Sequence, residues 1–170
     1  MRVGTRTKAT PWNQWAPIPL RLIIGYGFIV HGWAKLSRGP AGGFGNLLQQ
    51  VGVPFPIFTA WAVTVLELLG GLAILTGAFV ALVSIPLIMS MLVAIFTVHL
   101  KYGFSSINTI GLTKNGPVFS PPGYEVALLY IAGMIALSLA GSGPLSIDRY
   151  LLRKKQRQQG LSDTSQSLPV

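Results

Sequence analysis

The sequence predicts an all-α membrane protein, a four-transmembrane-helix bundle with both termini cytoplasmic. The 170-residue chain is 51% hydrophobic and only 10% charged, whereas soluble proteins are about 25% charged. Its apolar runs are separated by polar segments rich in glycine and proline, and they are long enough to cross a hydrocarbon core about 30 Å thick. Most of its basic residues flank these runs, as they do in membrane proteins.

The first span is predicted over residues 17–36, after a cytoplasmic basic arm at residues 1–16. Trp12 and Trp15 lie directly before the span, and indole rings favour the headgroup region of a bilayer. A secretory signal also has basic residues before an apolar run. This run, however, is long, carries Arg21 and lacks a clear small-residue cleavage site. We therefore expect a retained span.

The second and third spans are predicted at residues 57–76 and 79–100. Residues 57–100 contain a single Asp, Glu, Lys or Arg, which is Glu67, and this stretch is long enough for two spans. Gly77 is the best candidate for the tight turn between them. Pro86 lies inside the third span, where it cannot donate a backbone hydrogen bond. In the preceding loop, residues 44–51 have the apolar spacing of a short interfacial helix.

The fourth span is predicted over residues 123–140 and is ended by Gly141, Gly143 and Pro144. The transmembrane domain thus covers residues 17–141. Residues 142–170 form a cytoplasmic basic tail that we expect to be partly disordered. Within this tail, Ser146 is the predicted N-cap of a surface helix over residues 147–158.

The orientation follows from counting Lys and Arg on each side, because cytoplasmic segments carry an excess of them. The N-terminal arm has three and the C-terminal tail has five, whereas the turn near Gly77 has none. The two long loops share four: Lys35, Arg38, Lys101 and Lys114. Both termini are therefore predicted to be cytoplasmic, which requires an even number of spans.

Ionisable residues inside the apolar runs are the candidate functional residues, because a charge in hydrocarbon costs about 2.5–3.5 kcal/mol and usually faces protein. On the first helix, charged, glycine and aromatic residues share one face, with His31 at its edge. The glycines of this stripe would let a neighbouring helix approach closely. The stripe consists of Arg21, Gly25, Phe28, Gly32 and Lys35. On the fourth helix, a second predicted packing stripe consists of Glu125, Leu129, Ala132, Ala136 and Ala140.

Glu67 is the central candidate. It lies about ten residues, or about 15 Å, below the outer end of its helix. We expect a polar funnel that opens outward, with Glu67 at its floor and Lys35 or His31 beside it. His99 and Glu125 would lie at the mouth, whereas Arg21 lies nearer the inner surface.

Simpler interpretations exist for each candidate. Glu67 is either a proton carrier or quinone partner, or one half of a structural ion pair. His31 and His99 are either haem or metal ligands or hydrogen-bonded histidines, and no metal site is predicted. Glu125 is more typical of a helix cap. The chain has no cysteine, so redox chemistry would need a cofactor, a quinone or a partner subunit.

Four stretches, taken in order, resemble the DoxX family. They are residues 21–35, the segment E-L-L-G-G-L-A-I-L-T-G from Glu67, residues 99–104 with G-Y-E at 123–125, and G-S-G-P-L-S-I-D ending at Asp148. The resemblance implies a four-helix protein of a bacterial or archaeal plasma membrane. The family is named after a subunit of a quinone-linked oxidoreductase that handles reduced sulfur. This chain shows no marker of that sulfur-oxidising type.

The resemblance and the polar residues together predict a membrane subunit of a redox system that uses a quinone and is not catalytic alone. Its catalytic residues would be Glu67, His31 and Lys35, and its cofactor contacts would be His99, Glu125 and Arg21. The alternatives are a non-catalytic scaffold that recruits partner proteins, or a small transporter or proton pathway. The expected partners are anionic lipid at the basic tail, a redox protein and a second copy of the chain. Nucleic acid is disfavoured because the basic residues flank apolar spans.

Overall fold

The computed structural model describes the backbone of residues 12–166 and the side chains of residues 12–159. Four long helices dominate this part of the chain: α1 (Pro17–Ser37), α3 (Pro56–Thr76), α4 (Val80–Ala94) and α5 (Glu125–Ala140). A 3-10 turn (Asn13–Trp15) precedes α1, and α4 continues through a π-helical turn (Ile95–His99) and a 3-10 turn (Leu100–Tyr102). The first loop holds a π-helical stretch (Gly39–Phe44) and α2 (Gly45–Gln50). Helix α6 (Ile147–Gln166) follows α5.

Helices α1 and α3 pack closely because glycines meet where they cross. A Cβ atom built on Gly25 would lie 2.7 Å from the backbone nitrogen of Leu75, and one built on Gly71 would lie 2.8 Å from the carbonyl oxygen of Gly25. Real Cβ atoms do not approach backbone atoms this closely, so both positions require glycine. The crossing brings the side chains that flank it on α1 and α3 within reach of each other.

Helix α4 packs against α3 and α5, and α5 also contacts α1. The ring of Phe28 meets that of Tyr130 edge-on, with centroids 5.2 Å apart. The buried core draws on all four helices and consists of Ile24, Phe28, Ile74, Val80, Leu87, Met134 and Leu137.

The turn between α3 and α4 lies at Gly77, as predicted. Gly77 has a positive φ of 69°, which glycine adopts without strain. The Ala78 N–H donates to the carbonyl of Ala73 at 2.8 Å, which is the long hydrogen bond of a Schellman motif. A Cβ atom at Gly77 would lie 2.5 Å from Cβ of Ser146, so the segment after α5 packs directly on this turn.

Two helices, Pro56–Thr76 and Val80–Tyr102, are long and apolar enough to cross a membrane by length and composition. Only 33% and 22% of the residues in their most apolar windows are buried, whereas a core helix of a soluble protein would be mostly buried. Helix α1 also points large apolar side chains outward, including Leu22, Ile23, Tyr26 and Trp33. Apolar surface of this extent indicates contact with lipid or another protein.

The prediction that α5 packs through its stripe of small residues is wrong. Leu129, Ala132, Ala136 and Ala140 are exposed. The buried face instead consists of Ala127, Gly133, Met134 and Leu137. Gly133 explains the choice, because a Cβ atom there would lie 2.5 Å from Cδ1 of Ile24. Helix α5 therefore approaches α1 through its one glycine rather than through its row of alanines.

The second loop contains a β-hairpin that the sequence reasoning missed. Strands β1 (Thr109–Thr113) and β2 (Gly116–Phe119) pair antiparallel, with Thr113 opposite Gly116. The connection is the two-residue loop Lys114-Asn115, and Gly116 has a φ of 114°. Asn115-Gly116 is a common hairpin signal. The hairpin and residues 101–108 lie between the end of α4 and the start of α5.

The region after α5 contains a longer helix than the predicted one. Ser146 caps α6 as expected, since its Oγ accepts a hydrogen bond from the Arg149 N–H at 3.2 Å. The helix then runs to Gln166 instead of ending near residue 158. Residues 1–11 of the predicted arm and residues 167–170 of the tail lie outside the described residues.

Candidate functional site

Lys35 and Glu67 form an ion pair between α1 and α3. The Lys35 Nζ donates to Oε2 of Glu67. The Glu67 side chain is 2% exposed and the Lys35 side chain is 21% exposed. Glu67 is held in the middle of α3, while Lys35 lies in the last turn of α1 and reaches back to it. The Gly25–Gly71 crossing lets the two helices come close enough for this contact.

The ammonium group of Lys35 is the accessible end of the pair. It also lies 4.9 Å from the centre of the Phe44 ring, a cation–π distance. A lysine ammonium has three N–H donors, and among the described residues only Glu67 accepts one of them. The pair can therefore offer N–H donors of Lys35 to an oxygen atom of a ligand that approaches it, whereas the ionised Glu67 carboxylate can only accept hydrogen bonds.

His31 does not join this pair. It lies one helical turn before Lys35, at the edge of the predicted stripe, and it is exposed. The rest of the stripe behaves as predicted, because Arg21, Gly25, Phe28 and Gly32 are buried.

His99 and Glu125 fasten the second loop. The His99 Nδ1 lies 2.9 Å from the carbonyl oxygen of Pro122, and because a carbonyl can only accept, Nδ1 carries the proton. Glu125 Oε2 accepts from the Ser106 N–H at 3.0 Å, and Ser106 Oγ accepts from the Val126 N–H at 3.3 Å. These exchanges cap the start of α5. Neither His99 nor Glu125 hydrogen-bonds to the Lys35–Glu67 pair in the described part of the chain.

Arg21 lies at the opposite end of α1, 14 residues from Lys35, or about 21 Å along the helix. Its buried guanidinium donates to four backbone carbonyls. Nε and Nη2 reach Ile74 and Leu75 at the end of α3, at 3.2 and 2.8 Å. Nη1 reaches Ser142 and Leu145 after α5, at 2.8 and 2.7 Å. The structure thus separates Arg21 from the other predicted site residues.

Asp148 is a residue whose role the sequence reasoning missed. Its carboxylate caps α4, because it accepts from the N–H groups of Phe79 and Val80 at 2.7 and 3.2 Å. It also accepts from the hydroxyl of Ser142 at 2.7 Å. Acidic groups are favourable at helix N-termini, but nothing in sequence spacing links Asp148 to a helix that begins 68 residues earlier.

Two grooves of the described surface lie away from the predicted funnel above Glu67. One is an apolar groove of about 510 Å³ between α3 and α4, and the other is a mixed groove of about 630 Å³ beside α6. Neither is lined by Glu67 or Lys35. Within the described residues, no group of three or more His, Cys, Asp or Glu gathers in the manner of a metal site.

The structure is that of a helical protein with two candidate membrane-spanning helices and a buried ion pair between α1 and α3. The DoxX family profile matches residues 16–100, which is half of the chain, and DoxX is a membrane family. The chain therefore belongs to the DoxX family. The matched region includes Arg21, His31, Lys35, Glu67 and His99, and it ends before the hairpin and α5.

Two curated relatives match over most of the chain. A Bacillus subtilis (strain 168) protein named "Putative oxidoreductase CatD" is 28% identical over 138 residues, covering 81% of this chain and 87% of its own length. A Haemophilus influenzae (strain ATCC 51907 / DSM 11121 / KW20 / Rd) protein named "Uncharacterized protein" is 28% identical over 140 residues, covering 79% of this chain and 90% of its own length. No solved structure matches the chain.

Proposed function

We propose that this chain is the membrane subunit of a quinone-linked redox system, with the Lys35–Glu67 pair as its site. The observation that carries the proposal is a carboxylate that is 2% exposed inside an apolar helix and is paired with a partly accessible ammonium. Intramembrane ionisable residues mark functional sites by default. The oxidoreductase name of the Bacillus relative supports the reaction class.

The membrane arrangement we propose has four spans, with both termini in the cytoplasm of a prokaryote. The contacts of Arg21 support it, because they gather the start of α1, the end of α3 and the segment after α5 at one end of the bundle. The basic helix α6 follows at that end. The positive-inside rule makes this end cytoplasmic. Lys35 and the hairpin would then lie toward the outside.

This topology predicts opposite labelling of two single cysteines in the cysteine-free chain. In intact spheroplasts, we expect a membrane-impermeant maleimide to label Thr113→Cys in the hairpin. Gln156→Cys on α6 should be labelled only after the membrane is opened. Both positions are exposed, so access depends on the side of the membrane. Labelling of Gln156→Cys in intact spheroplasts would reject the proposed orientation.

In the proposed chemistry, a bound quinone would accept two electrons and two protons. Lys35 donates an N–H hydrogen bond to a carbonyl oxygen of the head group, which orients it and favours charge on that oxygen. Glu67 would take up one proton from the outer side and pass it to the same oxygen, and the second proton needed to form the quinol would reach the other carbonyl oxygen from the outer side. The electrons come from a separate redox protein that docks on this subunit. Exposed His31, one helical turn before Lys35 on α1, would relay protons to the surface.

Quinone retention tests the site directly. We expect protein purified in mild detergent to retain a quinone that solvent extraction and chromatography detect. Glu67→Gln removes the carboxylate charge at almost constant volume, and we expect at least about tenfold lower retention, since a charged hydrogen bond contributes about 1.5–3 kcal/mol. The control is Glu125→Gln, which alters the other carboxylate near a span and should retain quinone. A wild type without quinone, or equal retention in Glu67→Gln, would defeat the proposal.

A non-catalytic scaffold is the second candidate function. The observation that favours it is that Lys35 and Glu67 pair with each other, while Arg21, His99 and Glu125 bond to backbone groups. All of these contacts would serve a purely structural role. In that case, Glu67→Gln would leave partner proteins co-purifying as before, with no small molecule present in either form.

A further inference from the structure

A mixed polar and apolar groove lies beside α6, at the end of the bundle where Arg21 binds. The groove has a volume of about 630 Å³. Helix α6 presents one face to it, since the lining residues of this helix include Asp148, Leu151, Leu152 and Lys155. These are spaced by 3, 1 and 3 residues, which places them on one side of a helix. The groove is therefore a feature of folded α6 rather than of a disordered basic tail.

The groove combines two cations with apolar walls. The apolar walls are exposed, since Phe79 and Leu152 are 58% and 61% exposed. Lys155 is exposed on one side. On the other side, Arg149 is steadied by Oε1 of Gln14, which lies 3.4 and 3.5 Å from its Nη1 and Nη2.

The one acid in the lining does not cancel these cations. The carboxylate of Asp148 accepts two hydrogen bonds from the start of α4 and a third from the hydroxyl of Ser142. Arg149 and Lys155 thus remain available to an anion. Apolar surface and available cations meet at the end of the bundle that would lie at the cytoplasmic headgroup level.

We propose that this groove binds one anionic phospholipid. Its phosphate lies between Arg149 and Lys155, and an acyl chain runs along Phe79 and Leu152. Charge and apolar surface together select this ligand, because a free phosphate leaves the apolar walls uncovered and a neutral lipid leaves the cations unpaired. Basic pockets on the cytoplasmic side of membrane helices are typical sites for anionic headgroups. The inference requires the proposed membrane orientation but not the proposed redox function.

Native mass spectrometry of the full chain with added lipid tests this site. We expect phosphatidylglycerol to bind at least about tenfold more tightly than phosphatidylcholine. The double variant Arg149→Gln/Lys155→Gln should lose most of that preference, a loss of about tenfold or more. The matched control is Arg153→Gln/Arg157→Gln, which removes the same charge from α6 at exposed positions outside the groove lining. It should bind phosphatidylglycerol within about twofold of the wild type.

Each alternative result has a definite meaning. An equal loss in both double variants indicates diffuse attraction to basic α6 and overturns the site. Inorganic phosphate that competes with the lipid at micromolar concentration indicates a plain anion site and overturns the lipid assignment. If the groove variant does not keep the wild-type circular dichroism spectrum, Leu152→Glu replaces it, and unchanged phosphatidylglycerol binding by that variant overturns the proposal. A failed quinone test leaves this result unaffected.

Discussion

Replacing Arg21 with methionine should destabilise the bundle by about 3–5 kcal/mol, or prevent folding. Methionine keeps the length of the apolar stem but removes every donor. The carbonyls of Ile74, Leu75, Ser142 and Leu145 then lose the partner that they share. A fall of about 10 °C or more in melting temperature in detergent is the expected readout.

Arg149→Met is the matched control for Arg21→Met. It makes the same chemical change at a partly exposed site whose hydrogen bonds to Gln14 are long, at 3.4 and 3.5 Å. We expect an effect of about 0.5 kcal/mol or less. Arg21→Lys should fall between the wild type and Arg21→Met, because one ammonium cannot span two pairs of carbonyls as a guanidinium does. Similar melting temperatures for Arg21→Met and Arg149→Met would show that the Arg21 contacts carry little stability.

Much of the arrangement around α1 and α3 could be predicted from the sequence. Helical spacing identified the stripe of Arg21, Gly25 and Phe28, and all three are buried. Helical spacing works there because the stripe contains charges, which are costly on a lipid-facing surface, and glycines, which let neighbouring helices pack closely. Depth along the helices predicted Lys35 or His31 beside Glu67, and Lys35 is the residue that pairs with it. Gly77 was predictable as a turn because a long apolar run needed one.

The packing face of α5 was not predictable in this way. Ala132 and Ala136 suggested a close contact, but they face outward, while Met134 and Leu137 are buried. In an apolar helix, lipid-facing and protein-facing residues differ little in hydrophobicity, so only the single glycine at 133 distinguishes the faces. The partners of Arg21 were equally hidden, because they are backbone carbonyls, which every residue possesses.

The two ends of the bundle divide the polar residues by role. At the α6 end, Arg21 and Asp148 bind backbone groups that join α3, α4 and the segment after α5. Their hydrogen-bonding atoms are mostly occupied, which suits a structural role. At the other end, Lys35 keeps donors that no described residue accepts. This contrast, rather than burial alone, is why Lys35 and Glu67 are the better candidates for chemistry.

Lys35→Met should be more damaging alone than in combination with Glu67→Gln. The single change leaves the buried Glu67 carboxylate without its cation, which costs about 3–5 kcal/mol. In the double variant, a neutral amide replaces that carboxylate, and we expect about 2 kcal/mol or more of the loss to be recovered. Unfolding in detergent of the wild type, both single variants and the double variant measures this coupling. Effects that simply add would mean that the two side chains do not interact.

The double variant also separates folding from chemistry at the same site. With the charge removed from both partners, we expect the bundle to regain most of its stability. Any remaining loss of quinone binding then results from the missing Lys35 donor and Glu67 carboxylate. We expect this stable protein to bind no quinone, since neither methionine nor glutamine supplies the charged hydrogen bonds of the pair. Ala62→Met, at an exposed position on α3, is the control for added apolar volume and should retain quinone. A stable double variant that holds quinone as the wild type does would assign Lys35 and Glu67 to the architecture alone.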